Sequence, residues 1–183
     1  MHEMTAGNLR SAFAGESQAH MRYAIFSERA EKEGFPNAAR LFKAVARAER
    51  VHATNHYTEL RKIRGDFSVV AMAPFGLGST SENLQVGIDG ETFEIEEMYP
   101  VYKATAQFQE EKGAERTFDW ALQTEKVHAA MYREAKRAVD EGTDPEIGDI
   151  HICLVCGYTI EGDLPDRCPI CNAKRNRFQS FPL

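Results

Sequence analysis

Residues 46–56, ARAERVHATNH, and residues 121–132, ALQTEKVHAAMY, carry the same E-x-x-H pair on the same kind of background. In the first, Phe42, Val45, Glu49, His52 and His56 recur at steps of three and four. In the second, Phe118, Ala121, Leu122, Glu125, His128, Ala129 and Tyr132 do so. That period is one face of an α-helix, so each pair aims a carboxylate and an imidazole at one point. The apolar residues on the same stripes mark both faces as buried. An unpaired carboxylate costs several kcal/mol to bury, so a set of them in a dry interior calls for a multivalent cation. Carboxylate plus imidazole suits a pair of iron or manganese ions.

Two more helices supply matching carboxylates. The first runs from a cap at Thr5 to about Lys32, where Gly34-Phe35-Pro36 ends it, and carries Glu16 beyond Leu9 and Phe13. The second starts at Asn37 and fades near Arg64-Gly65. Residues 66 to about 80 contain Phe67 to Ala73 and then Pro74, Gly76 and Gly78, and read as a long crossover. A third helix starts at Ser79-Thr80-Ser81, carries Leu84, Ile88, Glu91, Glu94, Ile95, Met98, Val101 and Tyr102, and is broken by Gly113. The fourth ends near Glu141-Gly142. Two short links and one long one give an all-α ferritin-like four-helix bundle with a long crossover. The spacing of Glu16 to Glu49 nearly equals that of Glu91 to Glu125, a weak twofold repeat. In the third helix both Glu91/Glu94 and Glu94/Glu97 have ligand spacing, and depth matching with Glu16 favours the first pair.

Five glutamates (Glu16, Glu49, Glu91, Glu94, Glu125) bring five negative charges. Such a set favours an oxidised, ferric pair, and exchanging one carboxylate for neutral His52 restores balance on reduction.

All four cysteines lie in the tail, as Cys153-Leu154-Val155-Cys156-Gly157-Tyr158 and Cys168-Pro169-Ile170-Cys171. Two C-x-x-C knuckles read as one tetrathiolate metal site, iron or zinc, in place of disulfides. Backbone N–H groups in each knuckle can face sulphur, and Gly157 can take the positive φ this requires. The domain boundaries are a bundle over 1–142, a polar linker over 143–150, and a metal-held unit over 151–183.

The chain has 183 residues, 43% apolar and 27% charged, with net charge −6. It carries no basic block, so nucleic acid or an anionic membrane is not an expected partner. No apolar run approaches the roughly 20 residues that span a bilayer. No secretory signal is evident over Met1 to Phe13, and the cytoplasm is the expected location.

The chain resembles rubrerythrin over nearly all of its length. The knuckles look like those of rubredoxin, whose metal is one iron on four cysteines. Gly90 to Pro100, GETFEIEEMYP, looks like the family's third-helix motif, which settles that helix on Glu91 and Glu94. The resemblance implies a di-iron centre on Glu16, Glu49, Glu91, Glu94, Glu125 and His128. It further implies an iron that moves from Glu94 to His52 on reduction, with Tyr23 and Tyr99 beside the ligands. The implied activity is a peroxidase reducing hydrogen peroxide to water. The electrons would come from an external donor, an NAD(P)H-dependent reductase or rubredoxin, through the tail iron. A dimer is implied in which one chain's tail approaches the other's di-iron site. The alternative is a ferroxidase or an oxygen-reducing di-iron protein, and a non-enzymatic rival is a metal-stabilised bundle with a zinc tail. His20 and His56 are expected either at the site or in interior hydrogen bonds. His2 and His151 are expected in solvent or at the tail interface, and Trp120 in packing.

Overall fold

The computed structural model describes all residues, Met1–Leu183. Helix α1 (Glu3–Glu33) and α2 (Pro36–Glu59) form the first hairpin. Gly34 ends α1 in the left-handed conformation, and Pro36 occupies the first turn of α2, where a missing N–H costs nothing. Thr5 does not cap α1. The helix begins at Glu3, and the Thr5 amide and hydroxyl both donate to Gln109 at 3.1 and 2.6 Å. Helix α2 stops at Glu59, short of Arg64-Gly65.

The crossover leads to Ser79, which with Glu82 closes a reciprocal capping box at the start of α3 (Thr80–Phe93). The third rod is not a plain helix. A π-helical turn, Glu94–Met98, separates α3 from α4 (Tyr99–Phe108). Pro100 has no N–H to give an α-helical ladder, and Tyr99 donates its own to Glu94. The extra residue rotates the next helical segment, so Glu91 and Tyr99 both face the interior. The rod breaks at Gln109–Glu111, where Glu110 has φ 57°, and not at Gly113. Gly113 lies inside α5 (Lys112–Asp140), where a β-carbon would stand 2.1 Å from the Glu59 carboxylate.

Four rods thus form a ferritin-like bundle whose apolar core is divided. Tyr23, Phe26, Phe42, Leu41, Leu84 and Tyr132 pack on one side. Leu9, Leu60, Tyr99, Phe118 and Leu122 pack on the other. Between them lies a layer of buried glutamates and histidines.

The tail is a small antiparallel sheet, order β2–β1–β3, with β1 Ile150–Cys153, β2 Thr159–Glu161 and β3 Phe178–Phe181. Ile150 and Ile152 join the bundle's core, so the sheet shares that core. The connecting segment is a seam as well as a spacer. Asp144 accepts the Asn37 and Ala38 amides at the α2 N-terminus, Ile147 is buried, and Arg40 donates to the Ile147, Gly148 and Phe181 carbonyls. His151 is buried inside the tail, bonded to Ser180 and the Gly162 carbonyl, while His2 is exposed beside Glu111.

Candidate metal centres

Glu16 comes from α1, Glu49 and His52 from α2, Glu91 from α3, and Glu125 and His128 from α5. All are at most 1% exposed. They form two groups, Glu16/Glu49/His52/Glu125 and Glu49/Glu91/Glu125/His128, whose ligand atoms lie within 4.8 Å of one another. Glu49 and Glu125 belong to both groups. His52 Nδ1 is 2.9 Å from Glu49 Oε2 and 2.9 Å from Glu125 Oε1. His128 Nδ1 is 3.2 Å from Glu49 Oε1 and 2.8 Å from Glu125 Oε2. Each shared carboxylate therefore turns one oxygen to each imidazole, the arrangement of a pair of bridges. Glu16 and Glu91 close the two ends, each 3.8 Å from its imidazole.

Two tyrosines hold these end carboxylates. Tyr23 donates to Glu91 Oε1 at 2.8 Å, and Tyr99 donates to Glu16 Oε1. The other oxygen of each, Glu16 Oε2 and Glu91 Oε2, has no hydrogen-bond partner, nor do Glu49 Oε1, both Glu125 oxygens and His128 Nδ1. Native proteins leave few such atoms. Here they converge, which fits a pair of cations.

The protonation pattern shows the strain of this layer. Burial, then Glu49, pushes Glu16 well up, and burial, then Glu49 and Glu125, pushes Glu91 up to about 8. Burial opposes charging His52, but Glu125 and Glu49 overcome it and push the ring up to about 10. His128 is raised against the same penalty, mainly by Glu49. Burial would raise Glu49, but His128 and His52 hold it below the usual range. Glu94 is half-buried at the start of the π turn and belongs to neither group. Burial and Glu16 still raise its carboxyl. His52 thus stands in the first group and Glu94 outside it.

The tail cysteines also converge. Sγ–Sγ separations are 3.6 Å for Cys153–Cys171 and 3.5 Å for Cys156–Cys168. These are far too long for disulfides and near the edge of a tetrahedron with metal–sulphur bonds of about 2.3 Å. Gly157 has φ 88°. The Val155 and Cys156 amides face Cys153, the Tyr158 amide Cys156, and the Ile170 and Cys171 amides Cys168. Trp120 of α5 packs against this cluster.

The cysteine unit sits against its own chain's carboxylate layer, an approach the resemblance implied between two chains. His128 Nε2 donates to Thr159 Oγ1 at 2.8 Å, which turns Nδ1 to the carboxylates, where it would be the atom to bind a metal. Gly157 lies over His52, where a β-carbon would meet Nε2 at 2.2 Å. Asn55 donates to the Val155 carbonyl at 2.9 Å. Sequence reasoning missed Thr159 and the π turn. It noted Gly157 for its φ but not for this contact. His20 lies outside the layer, bonded to the Ala46 carbonyl.

The Rubrerythrin family profile matches residues 7–136, and the profile of the rubrerythrin rubredoxin-like domain matches residues 151–179. The chain belongs to the rubrerythrin family. Rubrerythrin-2 of Clostridium acetobutylicum is 51% identical over 178 residues, covering 97% of each chain. Nigerythrin of Nitratidesulfovibrio vulgaris is 33% identical over 97% of this chain and 86% of its own length. Its fully reduced, all-ferrous structure superposes with TM-score 0.85 over the same shares. A bacterioferritin of Rhodobacter capsulatus, 16% identical, shares the fold with TM-score 0.68 over 77% of this chain and 88% of its own. As a rubrerythrin, the protein is an oxidoreductase with a carboxylate–histidine di-iron site and a four-cysteine rubredoxin-like site. No helix is long and apolar enough to cross a membrane.

Proposed function

We propose that this rubrerythrin is a peroxidase that reduces hydrogen peroxide to water at the bundle site, with electrons arriving through the cysteine site. The observation that carries this reading is the pair of imidazoles. Each turns Nδ1 to the shared carboxylates and Nε2 to the cysteine unit, His128 through Thr159 and His52 against Gly157.

In this reading one metal is held by Glu16, Glu49, Glu125 and His52, and the other by Glu49, Glu91, Glu125 and His128. Glu94 replaces His52 in the oxidised state. When bound, the iron pair supplies two electrons to the O–O bond, and the thiolate iron restores them singly. The chain's own residues do the rest. Glu49 and Glu125 fix the spacing of the two positions. Tyr23 and Tyr99 each hold one oxygen, Oε1, of Glu91 and Glu16 and so fix the orientation of the two end ligands. Glu94 stands beside the layer as a proton carrier for the two protons that peroxide reduction consumes. An external reductase or rubredoxin recharges the cysteine site.

The test is anaerobic. Fully reduced protein is mixed with one equivalent of peroxide or of oxygen, and the red colour of the ferric tetrathiolate is followed. Fast reoxidation by peroxide and slow reoxidation by oxygen is expected. The reverse order supports the ferroxidase or oxygen-reducing reading. Gly157→Val forces a branched side chain into His52 at a positive φ. It is expected to slow return of the red colour by about tenfold or more.

A further inference from the structure

The twofold pattern of the bundle site is broken behind one tyrosine. Tyr23 is backed only by rings, with Phe26, Phe42 and Tyr132 centroids 5.4–6.3 Å away. Tyr99 is backed by His56, which is fully buried one turn beyond His52. His56 Nε2 lies 3.1 Å from the Tyr99 oxygen, and His56 Nδ1 lies 3.1 Å from Thr117 Oγ1. Thr117 is itself 4% exposed. An imidazole and a hydroxyl are costly to bury, and an apolar pair would fill the same space without that cost. Their presence asks for a reason.

The order of the bonds supplies it. Once Glu16 is ionised, as a metal ligand is, it can only accept, and Tyr99 gives it its one proton. Its oxygen must then accept from His56 Nε2–H. His56 is fully buried, and both its hydrogen-bond partners are neutral hydroxyls, so the ring is neutral. A neutral ring has one N–H, so Nδ1 is an acceptor and the Thr117 hydroxyl must donate to it. With Glu16 ionised, each link admits one direction only.

We infer that His56 and Thr117 are positioning residues that lock the Tyr99 O–H onto Glu16 Oε1. Glu16 is thereby held with Oε1 engaged by the tyrosine, which draws off part of its charge. Without the lock, Tyr99 is free to turn away, and Glu16 becomes a stronger donor that favours the ferric ion. This inference rests on the proposed reading of Glu16 as a ligand, which is what keeps that carboxyl ionised.

Two measurements separate these. In protein loaded with diamagnetic zinc, which keeps Glu16 ionised, nitrogen NMR of the His56 ring should report a neutral Nε2–H tautomer. Thr117→Val, which keeps the shape and removes the hydroxyl, should move only the Nδ1 resonance, to that of an acceptor without a donor. A protonated ring or an Nδ1–H tautomer overturns the inference. In the iron-loaded protein, His56→Leu should shift the ferric-to-ferrous ratio of the pair about tenfold toward ferric at a fixed potential. His56→Gln, which restores an N–H to Tyr99, should return most of that shift. Equal potentials for parent, His56→Leu and His56→Gln overturn the inference, as does a shift that glutamine does not reverse. If His56→Leu does not fold, the comparison is made with Thr117→Val, for which a smaller shift of the same sign is expected and no shift overturns the inference. If the expected tautomer is found but iron binds without Glu16, the ligand assignment fails and the lock has no metal to tune.

Discussion

Glu125→Ala is expected to strip both metals from the bundle and leave the tail red. Glu125 gives one oxygen to each group, facing His52 through Oε1 and His128 through Oε2. No other acidic side chain belongs to both groups except Glu49, which already uses both oxygens. Removing an end ligand such as Glu91 damages one position; removing a shared one damages both. Iron content should fall from three to one per chain, and peroxide reduction should fall by ~100-fold or more. The cysteine site draws no ligand from the bundle, so its absorption should persist. The same variant should also destabilise the metal-free protein, because it takes from His52 and His128 a carboxylate that both imidazoles face and leaves their charge under-compensated in the interior. Metal analysis and thermal melting of both forms check this.

The second large effect is on pH. In the metal-free protein near neutral pH, His52 and His128 carry protons and face the Glu49 and Glu125 carboxylates, while Glu16, Glu91 and Glu94 hold theirs. The buried layer is thus close to neutral without any ion. Binding a metal pair through Glu16, Glu91, His52 and His128 must expel those protons. Loading at pH 7 should release about four protons per chain, read from binding heats in buffers of different ionisation enthalpy. Affinity should rise steeply with pH, and less steeply above about 8, where Glu91 has already lost its proton.

Stability of the metal-free fold should run the other way. His52 is raised from 6.5 to about 10, so its contribution is complete below 6.5 and is lost as pH rises through 10. Glu91 is raised from 4.5 to about 8, and its contribution is lost between those values. The metal-free bundle should therefore be less stable at pH 9 than at pH 6 by roughly 3 kcal/mol or more. Iron should abolish that trend, because it replaces the protons. Denaturant titrations at the two pH values, with and without iron, test the sign.

The parts of this site that sequence exposes are those fixed within one helix. Glu49 with His52, and Glu125 with His128, share a face by helical spacing alone. Glu16 and Glu91 are legible because the hairpin repeat places them at the same depth. What sequence hides depends on contacts between distant segments. The π turn at Glu94–Met98 changes which residues face inward, and only Pro100 hints at it. The linker reads as polar, yet Asp144 caps α2 and Ile147 enters the core. Thr117 and Thr159 are ordinary in composition and acquire meaning only when His56 and His128 stand opposite them.

The most direct test is diffraction from iron-loaded crystals at the iron absorption edge. Two anomalous peaks between the Glu49 and Glu125 carboxylates and a third among Cys153, Cys156, Cys168 and Cys171 are expected. A bundle without iron, or with iron bound away from those two glutamates, would contradict the account.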